Sequence, residues 1–375
     1  MIDALPVTAP TGVIRHPAEV RCAAELAALH AHDRWPKPRG WRLSPRMVET
    51  FVLGSKDALP GPDGPVPILA KFVGDRRLVQ VAIATLASDR ALMLAGLPGT
   101  AKSWLSEHLA AAISGSSGLV VQGTAGTTEE QVKYSWNYAL LIAQGPSEAS
   151  LVPSPVLRGM RDGAVVRIEE LTRCAAEVQD ALISVLSEQQ IAIPELDTAV
   201  FARRGFAVIA TANTRDRGVN EMSAALKRRF NFVTLPVLTD LVQETEIVAR
   251  RSRELLHDLG VDPVVPRDLI ALLATVFSEL RCGQTLDGTA KVKTPTTVLS
   301  TAELISTVAN GALLGGFFGD RAATVGDCVA GLVGTVAKEN PADLDVFREY
   351  LETVAKSRHE GLWPDFYAAS RDAVG

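Results

Sequence analysis

Aromatic residues make up only 5% of this 375-residue chain, and cysteine (4) and histidine (6) are scarcer still. Cys22, Cys174, Cys282 and Cys328 stand far apart. Their spacing excludes paired zinc motifs and a C-x-x-C redox motif, and leaves buried free thiols in a reducing compartment as the expectation. Long apolar runs are missing too. Residues 91–95 and 311–318 are among the longest, and both fall far short of a membrane span, so no membrane insertion is expected. The chain opens with Asp3 early and without a basic region leading into an apolar one, so no secretory signal is legible and a cytoplasmic protein is expected. Charge is nearly balanced, at −5 with a pI near 5.8, which argues against nonspecific nucleic-acid binding.

The composition that remains, 47% hydrophobic and 22% charged, is that of a globular protein whose core is built from Ala, Val, Leu and Ile. The length implies two or three units. Residues 1–67 read as an N-terminal extension, with an Ala-rich helix over 18–32. Residues 54–67, which hold three Gly and four Pro, read as its linker or an ordered loop. From 68 to 236, apolar strands at 91–95, 119–123, 165–168, 206–212 and 232–235 alternate with helices at 78–87, 102–113, 175–188 and 223–229. This is the pattern of an α/β fold, a parallel sheet covered on both faces. Residues 237–375 read as helical, with helices at 240–259, from 268, and at 296–314, 322–338 and 344–357. Leu269, Leu272, Leu273, Val276, Phe277 and Leu280 make one apolar helical face.

Chemistry enters at the strand ends. Residues 96–103, GLPGTAKS, lie between a strand and a helix, where a loop of backbone amides and a helix N-terminus cradle phosphate. Lys102 would reach the β- and γ-phosphates and Ser103 would ligate Mg²⁺. Ala101 replaces the glycine that the strict motif places before the lysine. The next strand runs AVVRIEEL and ends in Glu169 and Glu170, with Glu169 expected to assist Mg²⁺ and Glu170 to polarise an attacking water. Arg167 within that strand is unusual, and pairing with a neighbouring acid is its expected role. A third strand ends at Asn213, suited to orienting the water or touching the γ-phosphate. Arg228 and Arg229 close a short helix. About 100° of helix rotation separates them, so one is expected as a finger reaching a neighbouring subunit and the other as a structural or sensing residue.

Together, residues 72–75, GLPGTAKS, RIEELTRCAAEVQDALISVLSEQQIAI and ATANTRDRGVNEMSAALKRRF resemble the MoxR-like branch of the AAA+ ATPases. The likeness is strong over residues 70–237 and weak in the lid. It implies a five-stranded sheet in the order 5-1-4-3-2 with a C-terminal helical lid, and ATP and Mg²⁺ bound between subunits of a ring, most often a hexamer. It assigns Gly96, Pro98, Gly99, Thr100, Ala101, Lys102 and Ser103 to the nucleotide loop, Val73 and Gly74 to the adenine, and Glu170, Asn213 and Arg228 or Arg229 to catalysis. Asp-Glu is usual where Glu169-Glu170 stands, a change that could slow hydrolysis. Two inserted hairpins are implied, at 128–163 and 190–205. Tyr134, Trp136 and Tyr138 in the first would share one face of a strand, either packed on the core or facing a client. Related lids carry a sensor arginine where this chain has Thr294-Pro295-Thr296-Thr297, and Lys293 is a candidate substitute.

The function expected is an ATP-driven remodeller or maturation factor acting on a protein client, with a von Willebrand A-domain protein as the partner suggested by the resemblance. One alternative is a slow or inactive nucleotide-dependent switch or scaffold. A nucleic-acid motor or restriction-type NTPase ranks third.

Overall fold

The computed structural model describes residues 13–214, 220–260, 262–320 and 322–375. Residues 1–12 of the expected extension, and 215–219 within the stretch that carries the resemblance, lie outside them. The chain divides into two compact units, the first ending at Pro236 and the second running from Val237 to Gly375, with Pro98–Thr100 grouped with the second.

Five parallel strands form the sheet of the first unit: β1 (Ala91–Gly96), β2 (Val120–Gln122), β3 (Val165–Glu169), β4 (Ala207–Asn213) and β5 (Phe230–Thr234). Their order is β5-β1-β4-β3-β2, which is the expected 5-1-4-3-2. Alternation along each strand divides the core into two layers. Leu92, Leu94, Val165, Ile209 and Val233 pack on one face, with Ala91, Met93, Val166, Ile168, Val208 and Ala210 on the other. Such two-sided burial leaves no polar alternation to read, as is usual for a parallel sheet.

The first face is covered by helices α1 (Pro45–Leu53), α2 (Arg76–Leu86) and α3 (Lys102–Ser114). Helix α1 corrects the reading of residues 1–67 as an appended extension and linker. Ser44 caps it, Pro45 begins it, and Val48, Phe51 and Val52 are fully buried in the same core as the sheet. Burying Phe51 alone contributes on the order of 2–3 kcal/mol. The helix ends where Gly54, at φ +81°, passes so close to Ala70 that a Cβ would lie 2.8 Å from its nitrogen. The supposed linker holds a small antiparallel hairpin, Leu59–Gly61 with Gly64–Val66.

Within this face His108 of α3 packs against Trp104 (ring centroids 4.3 Å) and Phe51 (5.9 Å). Its Nδ1 bonds Trp104 O at 2.7 Å, while Nε2 meets no hydrogen-bond partner among the described residues. Burial dominates and lowers its pKa from 6.5 to about 4. The imidazolium forms in the unfolded chain below pH 6.5 but in the fold only near 4. Stability from neutral His108 is therefore complete above pH 6.5 and lost as pH falls toward 4, by roughly 3 kcal/mol in all. Denaturation midpoints at pH 7.5 and 5 should show this decline, and His108→Phe should flatten it.

The opposite face is covered by α4 (Ala176–Glu188) and by two inserts. Residues Gln190–Ile193 and Thr198–Phe201 form one antiparallel hairpin. In the other, Tyr134–Trp136 pairs with Leu151–Pro153. Tyr138 does not continue that strand. The side chain of Asn137 accepts from Leu140 N and starts a helix, Tyr138–Gln144, so the expected three-residue stripe is broken. Tyr134 and Trp136 pack edge to face on the core, and Tyr134 Oη donates to Glu195 of the second hairpin at 3.1 Å. Tyr138 is 61% exposed.

The second unit contains α5 (Leu241–Asp258), α6 (Arg267–Cys282), α7 (Thr301–Phe318), α8 (Val325–Ala337), α9 (Asp343–Thr353) and α10 (Trp363–Val374). The apolar face read from Leu269 to Leu280 is buried in its core. Helix α7 starts later than expected, because Ser300 and Glu303 form a capping box there. Thr296 and Thr297 instead donate their amides and hydroxyls to Asp343 at 2.8–3.0 Å. Cys282 is exposed, which corrects the expectation of four buried thiols. It is the last residue of α6, beyond that buried face, whereas Cys22, Cys174 and Cys328 are buried.

Candidate functional site

The parallel sheet carries the ends of β1, β3 and β4 to one edge, and the polar residues follow directly from those ends. Asn213, the last residue of β4, lies in register with Gly96, the last of β1. From Gly96 the chain enters the phosphate-loop sequence, with Gly99 at φ +75° and Ala101 at φ +64°, ψ +25°. The left-handed conformation costs a residue with a Cβ roughly 1–2 kcal/mol, so Ala101 holds the loop's shape under strain that glycine would avoid. Helix α3 starts at Lys102. The Lys102 ammonium is buried and donates to Gly96 O (3.1 Å) and Leu97 O (2.7 Å) at the start of the loop.

Glu169 ends β3 and is 4% exposed. Its Oε2 accepts from Ser103 Oγ (2.6 Å) and Thr211 Oγ1 (2.8 Å), and its Oε1 from Ser106 Oγ (2.7 Å) and Arg167 Nη2 (2.7 Å). Burial by itself would raise the pKa of this carboxyl. The Ser103 hydroxyl, the Arg167 charge and the other two hydroxyls outweigh it and hold the group below its usual range, so it is ionised at neutral pH. A buried, ionised carboxylate beside a serine hydroxyl is an all-oxygen donor set suited to Mg²⁺.

Glu170 follows in a left-handed conformation, φ +54° and ψ +44°. Its amide donates to Thr211 Oγ1 at 2.9 Å, and its carboxylate pairs with Arg173 Nε at 2.8 Å. Beside it, Gly123 N donates to Glu169 O at 2.7 Å, and a Cβ on Gly123 would lie 2.5 Å from Glu170 O. Only glycine allows β2 to close on this turn without a shift. Ser106, Thr211 and Gly123 were not singled out by sequence. A hydroxyl one turn after Ser103 and another two residues before Asn213 are the signals that point to the first two.

Val73 and Gly74 occupy the loop before α2, which Asp75 caps, and Trp104 Nε1 of α3 donates to Lys71 O of the same loop at 2.8 Å. The four-residue helix Ala224–Lys227 leads to the two arginines. Arg229 is half-buried and donates to Ser187 Oγ (2.7 Å) and Ala225 O (2.8 Å). Arg228 is exposed, its carbonyl accepting from Arg90 Nη1. In the second unit, Lys293 pairs with Glu349 at 2.5 Å.

The parallel sheet, the phosphate-loop sequence and the paired acids define a AAA+ ATPase. Residues 91–230 match the AAA domain (dynein-related subfamily), and residues 242–374 match the YehL-like AAA+ ATPase C-terminal domain. The chain is 45% identical over 358 residues to the uncharacterized protein YehL of Escherichia coli (strain K12), covering 95% of this chain and 96% of that one. It is therefore a member of the YehL-like AAA+ ATPase family. Midasin of Giardia intestinalis is 28% identical over 132 residues, 34% of this chain and 3% of midasin. Among solved structures, NtrX from Brucella abortus in complex with ADP is similar with a TM-score of 0.46 at 14% identity, covering 68% of this chain and 53% of that one.

Proposed function

We propose that this chain binds ATP with Mg²⁺, hydrolyses it in an oligomeric ring, and uses the cycle to remodel a protein client. The observation that carries this reading is the placement of Lys102, Ser103, Glu169, Glu170 and Asn213 at one edge of the sheet. Lys102 offsets phosphate charge at the loop, and Ser103 and Glu169 are the residues that would hold Mg²⁺. The ion would supply positive charge against the phosphates during transfer of the terminal phosphoryl group. Glu170 accepts a proton from the attacking water once Arg173 releases its carboxylate, and Asn213 orients that water. Arg228 or Arg229 acts on the neighbouring subunit's nucleotide. Arg228 is the better-presented finger, and Arg229 the residue that secures its own helix. The surfaces that favour a protein client are on the hairpin inserts, where Tyr138, Ile142 (87% exposed) and Phe201 (66%) present apolar groups to solvent. A von Willebrand A-domain partner is the client class the MoxR-like resemblance suggests.

A slow switch is the second reading. Glu169 stands where aspartate is usual, and Lys293, the candidate substitute for a sensor arginine, is paired with Glu349. Assembly tests the main reading. Glu170→Gln with Mg²⁺ and ATP should form a stable closed oligomer in mass photometry and return to smaller species in EDTA. A monomer under every nucleotide condition would sink the ring proposal.

A further inference from the structure

An arginine inside a buried strand is costly unless its charge is used, and Arg167 is only 11% exposed in its side chain. It stands two residues before Glu169 in β3, so strand alternation places both on the same face. Every nitrogen of its guanidinium is engaged: Nε with Ser106 Oγ (2.9 Å), Nη1 with Ser117 O (3.2 Å), and Nη2 with Ser103 O (3.2 Å) and Glu169 Oε1 (2.7 Å). Ser106 Oγ lies 2.7 Å from the same Oε1. The two carboxylate oxygens are thereby unequal. Oε1 is held by a fixed cation and a hydroxyl, whereas Oε2 faces the hydroxyls of Ser103 and Thr211.

We propose that Arg167 is a positioning residue that fixes Oε1 of Glu169, presents Oε2 alone on the Ser103 side, and so makes the site selective for Mg²⁺ over Ca²⁺. The proposal rests on Ser103 and Glu169 being the metal-holding pair. Its physical basis is that Mg²⁺ demands near-ideal octahedral geometry with few protein oxygens, whereas Ca²⁺ accepts both oxygens of one carboxylate. Glutamate, one methylene longer than aspartate, has more freedom to turn, and the planar fork of Arg167 removes that freedom. The departure at Glu169 and the unusual arginine are thus two halves of one arrangement.

The test is binding of a fluorescent ATP analogue to the full chain in EDTA, Mg²⁺ or Ca²⁺. In Arg167→Met the affinity in EDTA should equal that of wild type. The gain from Mg²⁺ should fall about 10- to 100-fold, the range for loss of an outer-shell partner, while the gain from Ca²⁺ does not fall. Ser106→Ala, which removes the other partner of Oε1 but leaves both charges of the Arg167–Glu169 pair in place, should shift the Mg²⁺/Ca²⁺ ratio in the same direction by less. It decides the matter if Arg167→Met fails to fold. Unchanged ratios in the folded variants overturn the proposal. A wild-type protein that gains no affinity from either metal overturns the underlying ATP–Mg²⁺ reading instead.

Discussion

Lys102→Ala is expected to weaken ATP binding by at least about 100-fold and to bring turnover below detection, with the fold intact. The ammonium is buried at the base of the phosphate loop, and a unit charge 4 Å from a phosphate oxygen is worth about 4 kcal/mol at an effective dielectric constant of 20. The carbonyls of Gly96 and Leu97 to which it donates are acceptors and cannot take over its charge. Lys102→Arg should fail as well, since a planar guanidinium does not fit a space shaped for a compact ammonium. Thermal unfolding gives the readout. Ligand at 100 times the wild-type Kd stabilises the wild type by about 2.7 kcal/mol, and the same concentration should stabilise Lys102→Ala by about 0.4 kcal/mol or less. Equal shifts in both proteins would remove the phosphate loop from the site.

Mixing two inactive proteins is expected to restore hydrolysis. Arg228→Ala/Arg229→Ala keeps the phosphate loop and both acids but supplies no finger, and its turnover should fall roughly 10³-fold or more. Lys102→Ala keeps both arginines. In a mixed ring, an arginine from the Lys102→Ala subunit completes the site of its neighbour, and activity returns in proportion to mixed interfaces. The single changes divide the work. Arg228→Ala should lose turnover with an unchanged melting temperature, because its side chain is exposed. Arg229→Ala should lower the melting temperature by freeing Ser187 and the end of the short helix. Absence of recovery in the mixture, with each parent able to assemble, would place the arginines outside a shared site.

Most of the sheet was legible because β1, β3 and β4 are short, mainly apolar runs with their polar signals at their ends, and parallel order follows from the alternation with helices. Strand ends were less so. β5 starts at Phe230, since the preceding helix is only four residues long, and β2 is three residues long. Helix α1 went unread because nine residues between proline- and glycine-rich stretches carry little periodic signal, although its apolar residues fill the sheet's main core. Tyr138 followed strand spacing in sequence but obeys the cap at Asn137. At the site, the ionisable groups could be named from their motifs. Their supports carry weaker signals: Ser106 and Thr211 have only their spacing from Ser103 and Asn213, and Gly123 is singled out by proximity across elements distant in sequence.

Glu170 offers the most direct test of the central claim, that this site hydrolyses ATP. The measurement is Mg²⁺-dependent phosphate release by the purified full chain and by Glu170→Gln, with bound nucleotide quantified in parallel. Glutamine keeps the size and backbone hydrogen bond of residue 170 but cannot take a proton from water. The account predicts release by the wild type, a loss of at least about 100-fold in the variant, and retention of intact ATP by the variant. Equal turnover in the two proteins, or no nucleotide bound by either, would contradict it.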